Sequence, residues 1–186
     1  MELREAIYTR RAVRHFSAER VHRTTLRQLI DAAIQAPSAI NEQPWSFVVV
    51  EERPILALIS SKSKEHTLAT APGEFAPRHL EELRDPAFDI FYGAPALIVI
   101  SSRTQSRWAV EDCALAAENL MLAACGAGLG SCWIGFAQAW LGTPSGKTTL
   151  GVPWNYLPVA PIIVGHPAAA AAPVPRKAPE VRWIPS

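Results

Sequence analysis

The sequence predicts a mixed fold in which helices cover a sheet of buried strands. Short apolar runs rich in β-branched residues are typical of buried strands, and they occur at 45–50, 96–100, 131–135 and 159–165. Helical spacing or a nearly uniform apolar composition marks longer segments at 24–36 and 108–124. A chain of 186 residues that is 49% hydrophobic can bury one sizeable core, so we expect one domain, 1–186.

Local signals predict where the elements of the first half begin and end. Thr24 or Thr25 is the expected N-cap of the helix at 24–36, and Pro37 is its expected stop. A second helix is predicted from about residue 54 to 64. The polar stretch 65–86, with Pro72, Gly73 and Pro77, is predicted to be a mobile excursion and a candidate lid, with a short helix near 79–84.

The segment 108–124 predicts a helix that is covered on nearly every side. Its many alanines would let another helix approach closely, including one from a second subunit. Glu111 and Asp112 are expected on an exposed edge of this helix. Glycines at 126, 128 and 130 are expected to end it, and Pro161 favours an edge or irregular position for the last strand.

Charge and composition exclude several classes of function. The net charge of +1 gives no overall attraction for nucleic acid or an anionic membrane. The longest apolar region is too short to span a bilayer, and the N-terminus does not look like a signal or transit peptide. The three cysteines form no C-x-x-C pair, which favours reduced thiols in a cytoplasmic protein.

The sequence offers little support for a metal site or for a catalytic nucleophile. The five histidines lack metal-ligand spacing, and no G-x-S-x-G motif is present. Cys132 lacks a sequence environment that would lower a thiol pKa. We therefore expect no metal site and no catalytic side-chain nucleophile.

Three local patterns are candidates for ligand binding. Three arginines fall within 10–14, and guanidinium groups suit phosphate, although such a run also fits a solvated turn or a weak nucleic-acid patch. The loop 36–45 is rich in hydroxyl and amide groups, which suit a heterocycle edge but also ordinary turns. The glycines at 126–130 follow a helix and precede a strand, the reverse of a dinucleotide fingerprint, so we interpret them as a turn.

The tail after His166 is rich in alanine and proline and cannot build a core. It either extends freely or wraps around a partner. Apolar residues beyond 180 and the pair Arg176-Lys177 favour wrapping.

Taken in order, these segments resemble the nitroreductase family. The resemblance rests on RRAVRHF at 10–16, APSAINEQPWSF at 36–47, GLGSCWIG at 128–135, PIIVGHP at 161–167 and the late Arg176-Lys177. It implies an α+β fold with a mainly antiparallel sheet flanked by helices. It also implies a homodimer that exchanges a C-terminal arm of about 166–186 and holds two FMN molecules at its interface.

The resemblance assigns FMN binding residue by residue, to Arg10, Arg11, Ala12, Arg14, Pro37, Ser38, Ala39, Asn41, Ile134, Gly135, Arg176 and Lys177. The first two arginines would lie at the phosphate and ribityl end, and Arg14 at the pyrimidine side. The loop at 37–41 would come from the partner subunit. The backbone of Ile134 and Gly135 would face flavin N5, and Arg176 with Lys177 would close on the phosphate.

The implied activity is hydride transfer from NADH or NADPH through FMN to an electron-poor small molecule, such as a nitroaromatic or a quinone, in a ping-pong cycle. A fixed cation such as Arg14 would stabilise the reduced flavin and raise its potential. Two departures from the family pattern stand out: no Asn or Lys flavin contact is identifiable between 65 and 86, and Ala39-Ile40 replaces a Gly-containing pair. A flavin-binding sensor or store and a nucleic-acid-binding protein are the alternatives.

Overall fold

The computed structural model describes residues 1–70, 73 and 75–184. The seven helices of these residues are α1 (Leu3–Thr9), α2 (Arg23–Ala33), α3 (Arg53–Thr70), α4 (Pro77–Arg84), α5 (Ala109–Gly126), α6 (Gly135–Leu141) and α7 (Pro144–Leu150). The four strands are β1 (Trp45–Val50), β2 (Ala96–Ser102), β3 (Gly130–Trp133) and β4 (Leu157–Gly165). A short 3-10 turn, Ala39–Asn41, precedes β1.

The four strands form one antiparallel sheet in the order β1-β2-β4-β3. Alternate residues point to opposite faces, so Ile98 and Ile100 belong to one core cluster and Leu97 and Val99 to the other. Helices α2 and α5 cover the first face, and α3 and α6 contribute to the second. Because both faces are buried, β2 is an unbroken apolar run rather than an alternating one. The sheet between helices confirms the predicted fold class.

Several element bounds differ from the sequence predictions. Helix α2 begins at Arg23 after His22, without a side-chain cap from Thr24 or Thr25, and ends at Ala33, before Pro37. Helix α3 extends to Thr70, so the first part of the predicted excursion is helical. The buried face of α3 continues at Ser63, Lys64 and Thr67. Because these buried residues are small or polar, the sequence there does not show the apolar spacing of a helix. Residues 71, 72 and 74 of that excursion lie outside the described residues.

The edge position predicted for Pro161 is wrong, because β4 lies between β2 and β3. The other predicted possibility, an irregular position, agrees with the register shift between Ile100 and Ser101, which pair with Ala160 and Pro158 of β4. The carbonyl of Pro161 accepts the Ile134 N–H at 2.8 Å, and its nitrogen faces the same side. A proline cannot return the second hydrogen bond of that pair, so β3 ends at Trp133. The freed carbonyl of Ile134 accepts the Ala137 N–H at 3.1 Å and begins α6.

Helix α5 confirms the predicted long helix, but the exposed position predicted for Asp112 is wrong. Asp112 is 2% exposed, although it was expected on a solvated edge beside Glu111. Val110 and Leu115 on the same helix stay exposed. In the described residues no helix has the length and apolarity needed to cross a membrane.

Candidate functional site

The arginine segment runs beside the edge strand β3. Ala12 forms a parallel bridge with Ser131, and the Val13 N–H donates to the Ser131 carbonyl at 3.0 Å. A Cβ on Gly130 would lie 2.7 Å from Val13 side-chain atoms, so glycine at this position permits the close approach. The three arginines are therefore held in register against the end of the sheet.

In the guanidinium group of Arg11, one nitrogen has protein acceptors and a buried one has none among the described residues. One terminal nitrogen, Nη1, donates to the Tyr8 carbonyl at 2.9 Å and to the Arg10 carbonyl at 2.7 Å. Its Nε is buried and has no hydrogen-bond partner among the described residues. Since a buried donor without a partner is destabilising, this nitrogen fits an anion that the protein part of the site does not supply.

Arg10 and Arg14 add positive charge to the same edge. Arg10 Nε lies 3.5 Å from Glu118 Oε1, and the Arg14 guanidinium lies 5.9 Å from the centre of the Tyr92 ring. Burial raises the pKa of the Cys132 thiol, and the charges of Arg14 and Arg10 act against that rise. Burial likewise raises the pKa of Tyr92, against the charge of Arg14. The field at this edge therefore favours anionic groups.

Arg14 lines a cavity of about 570 Å³ with aromatic walls. Phe75, Tyr92, Trp133 and Phe136 line it, and the Phe75 and Phe136 ring centres are 5.2 Å apart. Helix α4 adds three polar side chains to the lining, from Arg78, His79 and Glu82. A flat ring system with some anionic character fits such walls.

The backbone at 134–135 lines the same cavity. The Ile134 N–H is already committed to Pro161, so it is not free to donate to a ligand. Gly135 is the first residue of α6, and the first N–H groups of a helix have no acceptor within the helix. Of the two predicted residues, Gly135 is therefore the one that can offer a backbone N–H.

The loop at 37–43 is a separate, tightly braced structure. Ser38 Oγ accepts the Gln43 N–H at 3.0 Å, and Gln43 Nε2 donates to Asn41 Oδ1 at 2.8 Å. Ile40, Asn41 and Gln43 all have positive φ angles, of 48°, 57° and 49°. Such conformations are costly for these residue types, above all for the β-branched Ile40, and concentrate at functional sites.

Asp112 ties this loop to the start of α5. Its Oδ1 accepts the Ala39 N–H at 2.9 Å, and its carbonyl accepts the Trp45 indole N–H at 3.0 Å. Arg103 donates from Nη2 to the Gln43 carbonyl at 2.9 Å. These supporting residues were missed because their partners are distant in sequence.

Within one chain the predicted site residues fall into three groups. The arginine segment meets α5 where Arg10 pairs with Glu118, and the loop meets α5 at Asp112, six positions earlier and about 9 Å along the helix axis. Arg176 and Lys177 lie in an exposed extended tail, and no hydrogen bond or ion pair joins them to other described residues. Among the described residues of one subunit, no hydrogen bond or ion pair joins the arginine segment, the loop and the tail to one another.

No metal chemistry is visible in the described ranges, since His, Cys, Asp and Glu side chains form no group of three that could hold an ion. Cys113, Cys125 and Cys132 are free thiols.

Comparison with known proteins agrees with this geometry. A model of the nitroreductase family matches residues 7–166. A protein of Archaeoglobus fulgidus, provisionally named NADH dehydrogenase/NAD(P)H nitroreductase, is 30% identical over 170 residues, which cover 89% of this chain and 86% of that protein.

Two crystal structures of nitroreductases with bound FMN have the same fold. The one from Bacteroides fragilis is 28% identical, with a TM-score of 0.83 over 99% of this chain and 97% of that chain. The one from Desulfitobacterium hafniense is 25% identical, with a TM-score of 0.84 over 99% of both chains. The chain therefore belongs to the nitroreductase family.

Proposed function

We propose that this protein is an FMN-dependent NAD(P)H oxidoreductase that passes hydride to an electron-poor small molecule, a nitroaromatic or a quinone. The observation that carries the proposal is Arg11, whose buried Nε lacks a partner at an edge made positive by Arg10 and Arg14. A phosphate monoester supplies the missing acceptor. The FMN-bound relatives and the provisional name of the archaeal relative support the cofactor and the donor.

In this proposal, each part of the flavin nucleotide is bound by particular residues of the chain. Arg10 and Arg11, with the backbone at Ala12, would hold the phosphate and ribityl end. Arg14 would lie at the pyrimidine side, next to the aromatic cavity. Gly135 would direct its N–H at the reacting edge of the ring, where Ile134 packs without donating.

When bound, FMN supplies the hydride chemistry at N5, so the chain needs no catalytic nucleophile or metal. Arg14 stabilises negative charge that accumulates at the pyrimidine side on reduction. The aromatic walls would offer flat molecules a surface on which to stack. Donor and acceptor would both use the cavity that Arg14 and Gly135 line, and they would occupy it in turn, which predicts a ping-pong cycle.

A homodimer completes the site in this proposal. Pro37, Ser38, Ala39 and Asn41 would come from the partner, since no hydrogen bond or ion pair among the described residues of one chain joins this loop to its own arginines. Apolar side chains that α1 and α5 leave exposed support such an interface. Residues 166–168 pair with residues 15–17 of their own chain, so the tail after Ala168 would cross to the partner and bring Arg176 and Lys177 to the phosphate. The free cysteines support a reducing, cytoplasmic setting.

Steady-state kinetics test the ping-pong cycle. NADH or NADPH is varied at several fixed concentrations of a quinone, and initial rates are plotted in double-reciprocal form. The proposal predicts parallel lines, because the donor product leaves before the acceptor binds. Intersecting lines would show a ternary complex and contradict the shared cavity. Bound FMN that neither nucleotide reduces would instead identify a flavin-binding protein without turnover.

A further inference from the structure

A second cavity, of about 640 Å³, lies between α3, α4 and the turn at 85–94. Its volume lies in the range of small-molecule sites. Leu56, Leu68, Leu83 and Phe88 give it apolar walls. Arg14 and the backbone at 134–135 are not among its lining residues, and the proposed function leaves this cavity without a role.

Lys64 places a buried positive charge at this cavity. The residue is 8% exposed, and lysine is almost never so buried without a paired charge. Its Nζ donates to the carbonyl of Asp85 at 2.9 Å and to the carbonyl of Phe88 at 2.7 Å. An ammonium group has three N–H donors, and both of these acceptors are neutral. Among the described residues no carboxylate forms an ion pair with Lys64.

The acidic side chains that line the cavity are already engaged elsewhere. Glu65 Oε2 lies 2.8 Å from Lys62 Nζ. The two oxygens of Asp89 accept the N–H groups of Phe91 and Gly93, each at 3.0 Å. Neither carboxylate neutralises Lys64.

Two further cations extend the positive lining. Arg53 donates to the neutral carbonyl of Gly93 at 3.0 Å, and Arg84 ends α4 at the same cavity. The lining therefore carries three cations, Arg53, Lys64 and Arg84, against two carboxylates, and neither carboxylate forms an ion pair with Lys64. Buried charges are normally paired, so the missing partner is expected to be an anion.

We propose that this cavity binds a small carboxylate with an apolar body. The carboxylate would accept the third N–H of Lys64, and the body would lie against the leucines and Phe88. A carboxylate with an apolar body matches both the buried ammonium group of Lys64 and the apolar walls of the cavity. This inference does not depend on the bound flavin or on the proposed activity.

Isothermal titration calorimetry of the purified protein, with its cofactor in place, tests the site. Three compounds are titrated separately. Decanoate has both a carboxylate and an apolar chain, decanol has the apolar chain without the charge, and acetate has the carboxylate without the chain. We expect saturable decanoate binding at one site per chain, and binding at least about tenfold weaker for decanol and acetate, because only decanoate gains both the charge-assisted bond and the apolar contact.

Two variants separate a ligand role from a structural one. Lys64→Met keeps most of the length of the side chain and removes its charge, and it should weaken decanoate binding at least about tenfold. Arg27→Met on α2 removes an exposed cation that does not line the cavity, and it should leave the affinity unchanged. Equal decanoate and decanol affinities, or unchanged affinity in Lys64→Met, would mean that Lys64 only braces the turn at 85–88.

A third variant decides the question if Lys64→Met does not fold. Ala57 is exposed on α3 and lines the cavity, so Ala57→Phe fills it without touching Lys64. This variant should abolish decanoate binding while α3 stays folded by circular dichroism. Full binding in Ala57→Phe, or no decanoate binding by the wild-type protein, would overturn the proposal.

Discussion

At the scale of single residues, position rather than residue type gives the arginines their roles. Arg11 has a buried Nε without a partner among the described residues. Arg10 forms an ion pair with Glu118, and Arg14 lies near the Tyr92 ring at the aromatic cavity. Tyr92 itself has a positive φ of 54°, a costly conformation that the close packing around the cavity maintains. Each arginine is therefore expected to respond differently to substitution.

Arg14→Ala should lower the midpoint potential of bound FMN by about 30 mV or more, a tenfold loss in the preference for the reduced form. Arg103 is unsuitable as a control because it holds the Gln43 carbonyl. Arg27→Ala on the exposed face of α2 is the matched control and should leave the potential unchanged. Spectroelectrochemical titration measures both. Equal potentials in the two variants would remove Arg14 from the flavin site.

Cys113 makes the stability of the protein sensitive to alkali. Burial, aided by the charge of Asp112, raises the pKa of this thiol from 9.0 to about 12. In the unfolded chain the thiol ionises first, so its contribution to stability is complete below pH 9 and is lost as the pH rises toward 12. Between these values the unfolding free energy should fall less steeply in Cys113→Ala than in Cys125→Ala, as measured by urea denaturation. Identical slopes would contradict the assignment.

At the scale of elements, α5 holds the strained loop in place. One carboxylate oxygen of Asp112 accepts the Ala39 N–H, and the backbone of the same residue accepts the Trp45 indole. The other oxygen, Oδ2, is buried without a partner among the described residues. A residue with these contacts fixes both the loop and the first residue of β1.

Asp112→Ala should lower the unfolding free energy by about 1–3 kcal/mol, because the Ala39 N–H loses its acceptor. FMN affinity should fall as well, since the loop loses its anchor. Glu111→Ala, which removes the exposed carboxylate next to it, should change stability by less than about 1 kcal/mol. Urea denaturation and FMN titration compare the variants. The anchor role is wrong if both have the same effects.

The sequence predicted the elements whose signals are local. The apolar pattern of each strand and of α5 lies within one stretch of consecutive residues. These elements were therefore predicted close to their observed bounds. The short helices α1, α6 and α7 were missed because seven residues give two turns of period at most. The edge position of Pro161 was predicted wrongly because only the pairing of β3 with β4 shows that its nitrogen faces the end of a strand.

The site was predicted in part for the same reason. The arginines, the loop and the 134–135 turn are contiguous motifs, and the family resemblance joined them. Asp112, Tyr92 and the α4 side chains carry no motif, and they are recognised only through contacts across the fold. Lys64 belongs to this group, because its burial depends on the distant turn at 85–88.

At the scale of the whole molecule, two helices of one chain leave apolar side chains exposed. Leu3, Ile7 and Tyr8 on α1 and Val110 and Leu115 on the adjoining α5 stay exposed. Patches of this kind mark interfaces. A partner on this surface would also bring the loop at 37–41 toward the arginines of the other chain, so dimerisation and flavin binding should be lost together.

Leu115→Glu should dissociate the dimer and release FMN, because it places a charge in an apolar contact. Leu58→Glu is a closely matched control, since Leu58 on α3 is exposed to the same extent, 45%. Size-exclusion chromatography with light scattering should give a monomer mass for the first variant and a dimer mass for the second. Equal masses would place the interface elsewhere.

The visible absorbance spectrum of the purified protein tests the central claim most directly. It is recorded anaerobically before and after NADH, then NADPH, and again after a quinone, and the released cofactor is identified by chromatography. We predict a flavin spectrum from FMN that bleaches with at least one nucleotide and returns with the quinone. A colourless protein that cannot be loaded with FMN would contradict the account, and the arginine segment would then need another anionic ligand.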